Sequence, residues 1–146
     1  MLQINLEELD VHHDYLKYCT LLAQLTSIDL EKISKNDFKD HLEKIKLNPY
    51  HYIIVAKYDN EIIGSITVLI EPKFIHNLSF VAHIEDVIVD KSYRKNGVGK
   101  LLMMHAISLA KQYKCYKIIL DCNEKNFDFY QRFGFKIKES QLALYF

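Results

Sequence analysis

Residues 84–100 read Ile84-Glu85-Asp86-Val87-Ile88-Val89-Asp90-Lys91-Ser92-Tyr93-Arg94-Lys95-Asn96-Gly97-Val98-Gly99-Lys100. The β-branched first part has the composition of a strand. Beyond the two glycines, Val98, Leu101, Leu102, His105 and Leu109 recur at i, i+3, i+4, i+7 and i+11, the spacing of a helix buried along one face. Strand, glycine loop and helix therefore follow one another. A helix start presents unpaired backbone N–H groups and a partial positive charge, so a loop wrapped there can cradle a phosphate or pyrophosphate. Gly97 and Gly99 allow a ligand to approach the main chain, and Arg94, Lys95 and Lys100 add charge beside it. The spacing matches neither nucleotide fingerprint, because the third glycine of a dinucleotide fold and the Gly-Lys-Ser/Thr of a P-loop are both missing. Taken alone, two glycines also suit an ordinary turn with a solvated basic rim.

Outward from this stretch, the chain alternates helical and strand patterns. Gln3 to Glu8 alternates polar and apolar as a first strand, and Tyr15, Leu16, Cys19, Leu22 and Ala23 follow at helical spacing. Ser34 and Asp37 form a capping-box signature ahead of Phe38, Leu42 and Ile45, which share one face of a second helix running towards Pro49. Tyr52 to Tyr58, the Asp59-Asn60 turn and Ile62 to Ile70 make a hairpin, with Val81 to Val89 as the next strand. Downstream, Lys117 to Cys122 holds a buried-strand run, Asn126 to Arg132 a short helix stopped by Gly134, and Phe135 to Phe146 a terminal strand. These elements predict one α/β domain over residues 1–146, a mixed and mostly antiparallel central sheet with helices on both faces.

Composition bounds the function. A chain of 146 residues, 49% apolar, is long enough for one sizeable core. Nineteen basic and nineteen acidic side chains cancel, which argues against a nucleic-acid partner. No apolar run approaches the roughly 20 residues that span a bilayer, and the acidic first ten residues do not resemble a secretory signal. A cytoplasmic location and no membrane partner are expected. Cys19, Cys115 and Cys122 are odd in number and lack metal spacing, so they suit buried thiols in a reducing compartment. His12-His13 has no partner at ligand spacing and reads as a solvated helix start; no metal site is expected.

The loop resembles the acyl-CoA loop of the GNAT superfamily of N-acetyltransferases, whose pattern is Gln or Arg, two residues, Gly, one residue, Gly or Ala, with Arg94, Gly97 and Gly99 at its specified positions. A narrower resemblance, to the glucosamine-6-phosphate N-acetyltransferase family, is carried by His83-Ile84-Glu85-Asp86, by Cys115 to Asn126, and by Phe129-Tyr130 with Phe133-Gly134-Phe135. It covers roughly Phe74 to Phe135 closely and extends more loosely to Leu25-Thr26. The resemblance implies the GNAT fold and acetyl-CoA as donor. It also implies acetylation of the 2-amino group of glucosamine 6-phosphate on the route to UDP-N-acetylglucosamine, and an intertwined homodimer. Other small amines, a protein N-terminus, or acyl-CoA binding without turnover are the competing readings.

Carried over position by position, the resemblance makes Asp121 the carboxylate that orients or deprotonates the amine and Tyr130 the donor to the departing sulfur. Val87, Ile88, Val89, the loop Arg94 to Lys100 (including Lys95, Asn96, Gly97, Val98 and Gly99) and Asn126 become cofactor contacts. Thr26, Glu85 and Asp86 become substrate contacts. The residues leave other roles open: Asp121 can cap the turn after its strand, and Tyr130 can be a core aromatic beside Phe127, Phe129 and Phe133. Adjacent strand residues point to opposite faces, so only one of Glu85 and Asp86 faces the substrate, the other holding the loop, unless a bulge intervenes; the resemblance implies that such a bulge frees a backbone N–H near Val87 for the thioester carbonyl. His83 reads as a supporting group rather than a catalyst. The C-terminal arginine with which fungal and animal members meet the substrate phosphate is absent, the matching stretch being Ala143-Leu144-Tyr145-Phe146.

Overall fold

A computed structural model describes residues 2–146, so the Met1 end of the expected domain lies outside the described residues. The sheet has five strands in the order β1 (Asn5–Glu8), β2 (His51–Tyr58), β3 (Glu61–Pro72), β4 (Phe80–Val89) and β5 (Cys115–Leu120). All neighbours are antiparallel except β4 and β5, which run parallel. Helices α1 (Tyr15–Leu22) and α2 (Lys35–Lys46) cover one face and α4 (Val98–Gln112) the other, and α5 (Phe127–Gln131) follows β5. Between β3 and β4, α3 (Ile75–Leu78) is one turn whose His76, Asn77 and Leu78 have positive φ.

Local chemistry accounts for most of these elements. Ser34 Oγ accepts the Asp37 N–H at 3.1 Å while Asp37 Oδ2 accepts the Ser34 N–H at 2.9 Å, closing the capping box that starts α2. Asp59 and Asn60 both adopt positive φ, as a tight hairpin between right-twisted strands requires. Period-two alternation divides β2 between the two faces: Ile54 and Ala56 pack towards α4, and Ile53 and Val55 towards α1 and α2. Gly134, at φ 91°, ends the α5 region.

Three expectations need correction. The buried face of α4 consists of Val98, Leu102, Met103, Ala106 and Ala110, and Leu101 and His105 point outward. Small alanines seat the helix close on the sheet, a choice that helical periodicity alone does not make. Residues 135–146 form no strand: they continue past β5 unpaired, with Leu142, Leu144, Tyr145 and Phe146 almost fully exposed. Strand propensity is not enough without a partner of matching register on the same chain. His13 is no solvated helix start, being 7% exposed, with Nε2 2.8 Å from Glu7 Oε1 and Nδ1 2.8 Å from the Asp10 N–H. Among the described residues no helix is long and apolar enough to cross a membrane, and Cys19, Cys115 and Cys122 are free thiols.

Candidate active site

The candidate site forms where β4 and β5 part. Their parallel ladder ends at Ile84 and Leu120, while β4 continues to Val89, so Glu85 to Val89 has no partner on that side. On its other side β4 carries a bulge of the kind that sequence left open: Thr67 pairs with Glu85 and Ser65 with Ile88, leaving Asp86 and Val87 opposite Ile66 alone. Asp86 takes φ 49° to make this possible. The extra residue breaks the alternation, and both Glu85 and Asp86 are exposed. Val87, Ile88 and Val89 thus lie along an open strand edge whose main-chain groups can meet an extended ligand.

The loop beyond β4 leaves main-chain N–H groups free beside basic side chains. Helix α4 begins at Val98 with Gly97 as its cap, at φ 80°, and no side chain bonds its first-turn N–H groups. Nothing lies within 4 Å of the place where a Cβ on Gly97 would stand, so a ligand can approach there. Gly99 serves differently from the expectation: a Cβ there would stand 3.2 Å from Phe129 Cζ, so its missing side chain makes room for the ring of α5 rather than for a ligand. Arg94 donates from Nε to the Val89 carbonyl at 3.2 Å, which orients its remaining guanidinium N–H groups. Asn96 donates to the carbonyls of Tyr93 and Arg94, each at 3.2 Å, and Lys95 turns through φ 66°. With Lys100 exposed at the helix start, these residues fit a pyrophosphate-bearing cofactor.

Three carboxylates gather at the mouth of the parted strands. Glu85 and Asp121 each follow the last pair of the β4–β5 ladder, and partial desolvation of the exposed Glu85 side chain first, then the charges of Asp121 and Asp86, push its carboxyl above its ordinary value. Asp121 follows the last residue of β5, and its Oδ2 accepts from Gln141 Nε2 at 2.7 Å. Asp121, Cys122 and Tyr130 share the wall of an open groove of about 1160 Å³ between the outer edge of β5, α5 and residues 133–141. Tyr130 is buried, its ring 5.0 Å from Phe129 and 6.2 Å from Phe135 between centroids. Burial, and then the neighbouring Cys122, raise its phenol above the ordinary value, so it stays a proton donor. No hydrogen bond engages its hydroxyl among the described residues. Asn126 is exposed at the start of α5 and its side chain caps nothing there.

The other expected residues lie around this centre. Thr26 is exposed in the turn after α1. His83 bonds Glu71 at 2.7 Å, and Lys73 pairs with the same carboxylate at 2.7 Å, so His83 acts as a support. Glu7, His12 and His13 offer ligand atoms within 4.8 Å of one another, a cluster the spacing did not suggest. Lys57 lies 2.7 Å from Glu7, and its ammonium competes with any cation there. Three contributors were missed by sequence reasoning: Gln141, Gln24, and Tyr18, whose phenol is pushed up to about 12 by burial first and also by the charge of Asp86, while Phe129 was read only as a motif residue and its contact with Gly99 was not foreseen. Only Tyr18 carried a signal, its position one helical turn before Leu22.

Residues 12–135 match the acetyltransferase (GNAT) family, and the chain belongs to that family. Within it, the chain is 33% identical over 145 residues to glucosamine 6-phosphate N-acetyltransferase 1 of Dictyostelium discoideum, covering 97% of this chain and 90% of that protein. It is 46% identical over 83 residues to glucosamine 6-phosphate N-acetyltransferase of Trypanosoma brucei brucei, a match spanning 57% of this chain and 56% of that one. The crystal structure of glucosamine-6-phosphate N-acetyltransferase from Arabidopsis thaliana superposes with a TM-score of 0.92 at 31% identity, covering 99% of each chain.

Proposed function

We infer that this chain transfers the acetyl group of acetyl-CoA to the 2-amino group of glucosamine 6-phosphate, the reaction named for its relatives, yielding a precursor of UDP-N-acetylglucosamine. The observation that carries this reading is the approach of Glu85, Asp86 and Asp121 where β4 and β5 part, with the glycine loop following β4 and Tyr130 lining a groove that Asp121 shares. A trio of carboxylates attracts an ammonium, and acetylation needs that amine neutral. Asp121 accepts the proton or orients the amine, which attacks the thioester carbonyl directly. The main-chain N–H groups of the β4 bulge face the oxygen on which charge develops. As the C–S bond breaks, the Tyr130 phenol donates to the thiolate. Amine attack by this route needs no Lewis acid from the protein.

The phosphate of the acceptor meets no C-terminal arginine here, and Lys117, Lys136 and Lys138 line the same groove as Asp121. The acceptor site is completed by a second copy. Among the described residues the outer edge of β5 has no strand beside it, and the apolar end Leu142 to Phe146 is left uncovered, so each feature supplies what the other lacks. Three free thiols fit a reducing compartment such as the cytoplasm. Free-thiol release from acetyl-CoA, followed with glucosamine 6-phosphate, glucosamine and a panel of other amines, tests the assignment. Turnover that requires the 6-phosphate is expected. Preference for another amine would replace the acceptor, and binding of acetyl-CoA without turnover on any amine would leave only a cofactor-binding module. Light scattering is expected to give a dimer mass, reduced to a monomer on deleting residues 140–146.

A further inference from the structure

One side chain joins helix α1 to the cofactor loop across a long stretch of sequence. Gln24, in the turn that ends α1, donates from Nε2 to Asp90 Oδ2 at 2.7 Å, and its Oε1 accepts the Lys91 N–H at 3.0 Å. The other Asp90 oxygen accepts the Ser92 N–H at 2.8 Å, and the Asp90 N–H is donated to the Ile63 carbonyl at 2.8 Å. Asp90 therefore anchors the start of the loop to β3 and, through Gln24, to α1. The Gln24 amide is used at both ends, its donor facing an acceptor-only carboxylate and its acceptor facing a donor-only N–H, so its orientation is fixed. Burial works to raise the Asp90 carboxyl, but the hydrogen bonds from Ser92 and Gln24 outweigh it and hold the group ionised, which makes both bonds charge-assisted.

We propose that Gln24 is a positioning residue for the cofactor loop, fixing where β4 hands over to Arg94–Gly99 from the same turn that carries Thr26. It acts through Asp90 and Lys91 and does not reach the ligand. Arg94 is bonded to the carbonyl of Val89, the residue before Asp90, so a displaced Asp90 shifts the guanidinium as well. The proposal rests on the acetyl-CoA reading of the loop.

Donor and acceptor polarity provide a test that a space-filling residue would not answer. Gln24→Glu sets two carboxylates face to face. Asp90→Asn sets one amide N–H against another, because the remaining oxygen is held by Ser92. The double variant Gln24→Glu/Asp90→Asn restores a donor opposite an acceptor with the polarity reversed. Calorimetric titration with CoA is expected to show each single variant binding about tenfold more weakly, the size of effect of one or two lost hydrogen bonds, and the double variant recovering most of that loss. The KM for acetyl-CoA should follow while kcat stays nearly constant, and unfolding midpoints check that every variant is folded. Single variants that bind CoA as tightly as wild type, or a double variant no tighter than the singles, would overturn the proposal. Because the titration contains no acceptor, a wrong sugar assignment leaves it readable. Failure of the wild type to bind CoA would instead remove the loop reading and this proposal together.

Discussion

Replacing Tyr130 by phenylalanine removes one oxygen and isolates one role. The ring keeps its neighbours, with Phe129 at 5.0 Å and Phe135 at 6.2 Å between centroids. Its hydroxyl has no partner among the described residues, so the fold should lose less than about 1 kcal/mol, the worth of an ordinary hydrogen bond. The reaction loses more. A hydrogen bond to a charged group contributes about 1.5–3 kcal/mol, and a donor to a thiolate that exists only as the C–S bond breaks acts on the transition state alone. At 1.36 kcal/mol per decade, the rate of the chemical step should fall roughly 10- to 150-fold. Single-turnover thiol release reads that step apart from product release, and the affinity for acetyl-CoA should hardly change. The raised phenol also means that Tyr130 should impose no loss of activity until the pH exceeds its ordinary value of 10.0. A variant whose single-turnover rate stayed within about threefold of wild type would refute the leaving-group role and return Tyr130 to the aromatic core.

Asp121→Asn should lower kcat/KM roughly 10²- to 10⁴-fold, as loss of a general base does. It should also let the Glu85 carboxyl titrate closer to its ordinary value, because Asp121 is part of what raises it; carboxyl chemical shifts against pH would follow this, and an unmoved Glu85 would separate the two groups. Gly99→Ala should destabilise the fold by about 1 kcal/mol, because the new methyl meets a Phe129 ring held between Tyr130 and Phe133 and this crowding outweighs the roughly 1 kcal/mol that alanine gains over glycine in a helix. A Gly99→Ala/Phe129→Leu variant that failed to recover stability in urea unfolding would remove that explanation. Hydrogen bonds from Lys57 and then His13 hold Glu7 at a pKa of about 2 against an ordinary 4.5. A depressed carboxyl stabilises the folded state above its unfolded pKa and stops doing so as the pH falls through the folded one. Wild type and Glu7→Gln should therefore differ in urea midpoint at neutral pH and converge between about pH 4.5 and pH 2, a difference independent of pH being the contrary result.

Much of the fold is legible in the sequence because its signals are local. The Ser34–Asp37 box, the Asp59-Asn60 turn and the strand–loop–helix around Gly97 each depend on residues a few positions apart, and each forms where it is expected. Side-chain size decided what periodicity could not: α4 presents Ala106 and Ala110 to the sheet although Leu101 and His105 fit the same repeat. The residues of the proposed site were named through the resemblance rather than through periodicity. Why both Glu85 and Asp86 can be exposed on one strand could only be posed as a question, which the bulge at Asp86 answers.

What the sequence alone determined is most of the elements and the basic glycine loop at a helix start, and its resemblance named the groups proposed to carry acetyl transfer. Tertiary structure decided which of them meet. It brings Asp121 from β5 beside Glu85 from β4, places Phe129 against Gly99, and ties Gln24 to Asp90. It also leaves residues 135–146 without a strand to join. Those contacts link positions tens of residues apart, and their energies depend on register, burial and shape, which arise only when the sheet is assembled.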